Sequence, residues 1–175
     1  LYFLNRNRML VFSFGNFWIS TREVFHVGLP AIAGNLIGPM TMTIITRLVA
    51  GYGSAVVAGF SLASRIETML AMVIWAISMS IAPFVGQNWG GRKFQRVWRA
   101  VSLANSFALA WGALSYLLLL FAGSFIVYKL TDDVVVAEAA SIYLLIVPAG
   151  MGLMGITANA SNSFNALGQP LPPLL

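Results

Sequence analysis

The sequence predicts an all-α integral membrane protein, an antiparallel bundle of transmembrane helices, and three observations carry that prediction. Hydrophobic residues make up 59% of the 175 residues, charged residues only 9%, and the mean hydropathy is +0.83. Such a composition leaves too little polar surface to coat a globule in water. Four stretches stay apolar for at least the ~20 residues that a helix needs to cross a bilayer core. Turn residues separate them, at Gly51-Tyr52-Gly53-Ser54, Gly90-Gly91 and Thr131-Asp132-Asp133.

Residues 1–26 precede the first predicted span and read as a cytoplasmic connection. The chain opens on Leu1 and closes on an apolar stretch, so the sequence reads as a section of a longer polypeptide. Arg6 and Arg8 follow the short apolar start instead of preceding it, which is not the order of a signal peptide. Residues 9–19 are apolar and aromatic but too short to cross. They suit a segment lying in the interface with Trp18 at headgroup depth, or a linker packed on the rest of the protein.

The predicted spans are residues 27–51, 55–88, 97–130 and 134–167, and residues 168–175 form a tail leading to a missing helix. The longer spans run to about 34 residues, roughly 50 Å at 1.5 Å per residue, so they tilt or project beyond the hydrocarbon. Short connections make sequential spans antiparallel, with loops on alternate sides. Arg6, Arg8, Arg22, Arg92, Lys93, Arg96 and Arg99 then share one side, whereas Lys129, Asp132 and Asp133 lie on the other. The basic side is expected to be cytoplasmic, in a multi-pass protein of the cell inner (plasma) membrane.

Charged groups inside spans are the informative residues, since each costs about 2.5–3.5 kcal/mol at mid-helix on insertion scales. Arg47, Arg65 and Glu67 are such groups. Arg65 and Glu67 are about 200° apart around a helix and cannot pair with each other. Placing Arg47 about 12 Å and Glu67 about 7 Å outward of the midplane predicts an Arg47–Glu67 ion pair between the first two spans, with Arg65 snorkelling outward or facing a cavity. Such a pair either fixes helix register or contacts substrate and ion directly.

Other polar and helix-bending residues carry two readings each. Asn35, Thr41, Thr43 and Thr46 lie in the first span with Gly34 and Gly38, a spacing that permits close helix approach. Asn159, Asn162 and Asn165 recur every third residue of the fourth span, as a stripe that lines an aqueous cavity or hydrogen-bonds between helices. Pro39, Pro83 and Pro148 fall inside spans, where each removes a backbone hydrogen bond and makes a moving or a static bend. Gln87 and Asn88 sit at the cytoplasmic mouth of the second span. Met69, Met72, Met79, Trp75 and Trp111 offer a soft surface for apolar cations, or simply core and lipid contacts. His26, the single histidine, sits at a span edge as a solvated group or a proton relay.

Zero cysteines exclude a disulfide framework and thiolate-held metal. No nucleophile set, paired catalytic carboxylates, phosphate-cradling loop or metal-spaced cluster occurs in the pattern, so neither an enzyme nor a bound cofactor is expected. The expected partners are the lipid bilayer and small amphipathic organic molecules, with no role for nucleic acid.

Ala63-Ser64-Arg65-Ile66-Glu67, followed by the run from Ala82 through Gln87 and Asn88 to Gly91 and then a basic stretch, resembles the second half of transporters of the MATE (multidrug and toxic compound extrusion) family. Gly28-Leu29-Pro30 opening a span and Asn165-Ala166-Leu167-Gly168-Gln169-Pro170 closing one fit the same pattern. The resemblance extends from about residue 27 to residue 170 and is nearest to the DNA-damage-inducible prokaryotic branch. It implies a fold of twelve helices in two lobes around a central cavity, of which this chain resembles helices seven to ten, with the first lobe of the same polypeptide missing. It further implies proton- or sodium-coupled antiport of amphipathic, often cationic compounds by alternating access. Some relatives carry a glutamate about eight residues after the Gly-x-Pro opening, where this sequence has Gly38. Coupling is then expected to rest on a carboxylate of the missing lobe, with Glu67 the membrane carboxylate present here. The alternatives are a lipid-linked precursor flippase of the same superfamily, which would favour a basic cavity, and a non-transporting membrane subunit.

Overall fold

A computed structural model of the chain describes residues 17–169. Among these residues the chain is helical throughout: α1 (Phe17–Ala50), α2 (Ser54–Gly90), α3 (Phe94–Leu130), α4 (Val134–Ile146), a 3-10 turn (Val147–Gly150) and α5 (Met151–Ala166). Four segments are long and apolar enough to cross a membrane, namely Ile32–Ala50, Ser54–Gly90, Phe94–Leu130 and Val134–Ala166 taken through its 3-10 turn. The expected four-span bundle is thus the architecture observed.

The reversals between spans use the turn chemistry read from the sequence. Gly53 adopts φ +109°, a conformation that costs a glycine little and an L side chain a great deal. At the start of α4 the Asp133 carboxylate accepts from the backbone N–H groups of Val135 and Val136, at 2.9 and 3.2 Å. That satisfies two donors the first helical turn leaves open and sets a negative charge at the positive end of the helix.

Three layers of apolar packing hold α2, α3, α4 and α5 together. One end gathers Ala63, Leu119, Val127, Ala137, Ala140 and Leu144. The middle holds Ala71, Ile74, Ala108 and Met151, and the end nearest the basic loop holds Ile81, Val85, Val97 and Ala104. Small side chains dominate because helices in a bilayer gain mostly from close van der Waals packing. The tightest point is the crossing of α3 and α5, where a Cβ on Gly112 would lie 2.5 Å from the backbone nitrogen of Gly152.

Several sequence expectations shift. The first described helix already runs from Phe17, ten residues ahead of the predicted boundary at 27, and its membrane-length apolar part among the described residues is Ile32–Ala50. Arg22 and His26 lie in helix that extends beyond the apolar window, as a 34-residue helix of roughly 51 Å requires. Of the expected interfacial segment 9–19, residues 9–16 lie outside the described part, and Phe17, Trp18 and Ile19 are helical within α1. A Cβ on Gly38 would meet nothing within 4 Å among the described residues, and close glycine approaches occur at Gly59, Gly112 and Gly152. Pro83 lies inside uninterrupted α2 and Pro39 inside α1, whereas at Pro148 the fourth span changes to a 3-10 turn.

Candidate functional site

Helix α2 is two-faced, and this organises the polar groups. Gly59, Ala63, Ala71, Ile74, Ser78, Ile81 and Val85 are buried along one face. Glu67 falls on that same face by helical spacing and is half-buried. Its carboxylate accepts a hydrogen bond of 2.5 Å from the Tyr143 hydroxyl on α4. The Tyr143 ring is held edge-on by Phe60 of α2, with centroids 5.4 Å apart. An aromatic clamp and a charge-assisted bond therefore fix the carboxylate between α2 and α4.

This arrangement corrects the expected Arg47–Glu67 ion pair. Glu67 faces α4, while Arg47 is exposed in the last turn of α1, and no ion pair forms among the described residues. Arg47 sits where the negative end of the helix dipole favours a cation. Arg65 is exposed on the face of α2 opposite Glu67, as their spacing requires.

Deeper toward the basic end, a second polar cluster joins three helices. Asn159 of α5 is 0% exposed. Its side-chain oxygen accepts from the Ser78 hydroxyl of α2 at 2.6 Å, and its amide donates to the Asn105 side-chain oxygen of α3 at 2.9 Å. The Ser163 hydroxyl donates to the Asn159 backbone carbonyl at 2.7 Å. Between the two clusters the Trp111 indole donates to the Leu70 carbonyl at 2.9 Å, tying α3 to α2. The expected asparagine stripe is graded in depth: Asn159 is buried and bonded, Asn162 half-buried and Asn165 exposed. Asn35 lies on α1, and its side chain falls outside the described part.

The opposite face of α2 is exposed and soft. Met69, Met72 and Met79 are 70%, 56% and 72% exposed. Together with Arg65 and Pro83 they line up along an arc of about 80° around the helix. Sequence reading named these methionines but not Tyr143, Ser78 or Asn105. For Asn105 the signal was present, as an amide inside an apolar span. Tyr143, one of five tyrosines and 76 positions from Glu67, carried none.

Four membrane-length helices with polar groups bonded inside the bundle define a multi-pass membrane protein. A family model described as MatE matches residues 30–175, and the chain belongs to this family of membrane transporters. It is 31% identical over 153 residues to a protein of Shewanella oneidensis named FAD transporter, a match covering 87% of this chain and 34% of that protein. An uncharacterized 21 kDa protein of Pseudomonas savastanoi is 28% identical over 99 residues, covering 57% of this chain. Among solved structures, the Vibrio cholerae MATE transporter VcmN in its bent form superposes with a TM-score of 0.87 at 25% identity. That superposition covers 98% of this chain and 40% of the other, and a mutant form of VcmN gives a TM-score of 0.89. The chain thus spans about a third to two fifths of the length of these transporters.

Proposed function

We propose that this chain forms part of a proton- or sodium-coupled antiporter that exports amphipathic, often cationic organic molecules by alternating access. The observation that carries this reading is the two-sidedness of α2, with Glu67 bonded to Tyr143 on the packed face and a methionine stripe on the other. A carboxylate held in a membrane span by a neutral phenol alone is costly, and a proton or small cation that neutralises it lowers the cost. Its loading then couples to the packing of α2 against α4. Methionine side chains are flexible and polarizable, which suits a surface that accepts varied apolar partners. The basic end of the bundle lies in the cytoplasm of a cell whose inner membrane holds the protein.

A second substrate class has its own support. The Shewanella relative is named for FAD, and the exposed guanidinium of Arg65 at the head of the methionine stripe suits a phosphate as well as an aromatic ring. In this reading the cargo is a phosphate-bearing aromatic dinucleotide.

The test is transport by the full-length transporter in liposomes under an imposed proton or sodium gradient, with a fluorescent organic cation in one arm and FAD in the other. Gradient-driven movement of the cation supports the leading reading, and movement of FAD alone supports the second. Glu67→Gln should lower the gradient-driven rate at least about tenfold, the scale of removing a 1.4 kcal/mol interaction. Unchanged coupling in that variant would remove Glu67 from the ion path.

A further inference from the structure

The end of the bundle carrying the basic loop has a feature that the proposed transport reading leaves unassigned. An apolar groove of about 270 Å³ opens between α2, α3 and α5, lined by Trp89, Val97, Trp98, Val101, Phe164 and Leu167 among others. Ser163 also borders it, but its hydroxyl is bonded back to the Asn159 carbonyl, which leaves the wall apolar. The groove is below the ~300–1,000 Å³ usual for a drug-sized molecule, so it fits a stretch of flexible chain better than a bulky cargo.

Beside it lies a second concavity of about 360 Å³, lined by Arg92, Lys93, Phe94, Gln95 and Arg96. The two share a wall, because Trp89 of the groove and Phe94 of the basic concavity pack edge to face with centroids 4.8 Å apart. No carboxylate occurs in residues 68–131 or 139–175, so these cations have no acidic neighbour within their own helices or in α5. Arg92 also stands at φ +55°, in the left-handed region, where a glycine would carry no strain. The reversal is tied by Arg92 N–H to the Trp89 carbonyl at 2.9 Å and Lys93 N–H to the Asn88 carbonyl at 2.8 Å.

We infer that this is a binding site for an anionic phospholipid of the basic-side leaflet, with an acyl chain in the Trp89/Trp98 groove and the phosphate among Arg92, Lys93 and Arg96. Charge complementarity selects this occupant. A cationic mouth that forms no ion pair among the described residues, on an apolar slot, matches a molecule that is anionic at one end and hydrocarbon at the other, and basic pockets on the cytoplasmic ends of helices take such headgroups. Tryptophans at the slot suit the interfacial depth at which headgroup and chain meet.

The test is lipid retention by the purified full-length protein offered equal phosphatidylglycerol and phosphatidylcholine, read by native mass spectrometry, with thermal unfolding as a folding control. Phosphatidylglycerol should be retained at least about tenfold over phosphatidylcholine, since each basic residue contributes about fivefold at an anionic surface. The variant carrying Arg92→Gln, Lys93→Gln and Arg96→Gln should lose that preference. Trp98→Ala, at a side chain 70% exposed and outside the core, should weaken retention severalfold with the charges intact. Brominated acyl chains should quench the fluorescence assigned to Trp98 by difference from Trp98→Phe. Equal retention of both lipids, or a preference that survives the triple variant, would overturn the site. Absence of quenching would show the groove covered by protein and overturn it equally.

Discussion

Asn159 shows how much a single polar side chain does inside an apolar bundle. It joins three helices through Ser78 and Asn105, and removing it leaves both partners without their mutual bridge. Interhelical hydrogen bonds in membranes average about 0.6 kcal/mol each, whereas stranding a buried polar group costs about 1–3 kcal/mol. The stranding term is the larger, so Asn159→Ala is expected to destabilise the protein by about 2 kcal/mol in a reversible unfolding assay. Adding Ser78→Ala to that variant should recover part of the loss, because it removes a stranded hydroxyl. A stable Asn159→Ala protein with impaired transport would instead assign this cluster to the transport path. Residue identity alone left the choice between packing and pathway open for all three asparagines. Burial separates them, and burial depends on which face of α5 meets α2 and α3.

Elements were legible in the sequence to the extent that local chemistry decides them. The glycine, Gly-Gly and Asp turns ended the helices where expected, within a few residues, because each performs a local task of reversal or capping. The continuation of α1 back to Phe17 was not legible, since Arg22 and His26 read as the edge of an apolar span while the helix itself runs past them. The Arg47–Glu67 pairing failed for a related reason: axial depth can be estimated from sequence, but the azimuth of one helix against another cannot. Of the three prolines, Pro148 alone coincides with a change of helix type, helped by Gly150 and Gly152 close behind it. The turn divides the fourth span into an α4 half held by the Glu67–Tyr143 bond and an α5 half held by Asn159. A 3-10 stretch within a helix often marks a hinge. Pro148→Ala, which restores a backbone donor, is expected to leave thermal stability within about 1 kcal/mol and to slow gradient-driven transport severalfold. A transport rate equal to wild type would show the break to be a static fit to its neighbours.

At the scale of the molecule, α2, α3, α4 and α5 pack on one another along their lengths, while α1 touches this unit mainly along a short seam with α2. They form a single packed body with continuous layers from end to end. Alternating access requires two such bodies that rock against each other around a shared site. The methionine face of α2 fits that requirement, because it is exposed on this body and would be closed only by something opposite. The superposition covers 98% of residues 1–175 and about two fifths of the VcmN chain, so in the proposed reading the opposing surface belongs to a part of the transporter beyond these residues. Liposomes containing residues 1–175 alone should therefore show no gradient-driven export above protein-free liposomes, while the full-length transporter prepared the same way should export. Both preparations need matched protein content and orientation, measured by protease accessibility of the basic loop, so that silence cannot be blamed on failed insertion. Ion-driven export by residues 1–175 alone would mean that the path lies within this body, and Glu67, Tyr143 and the asparagine cluster would then have to form it.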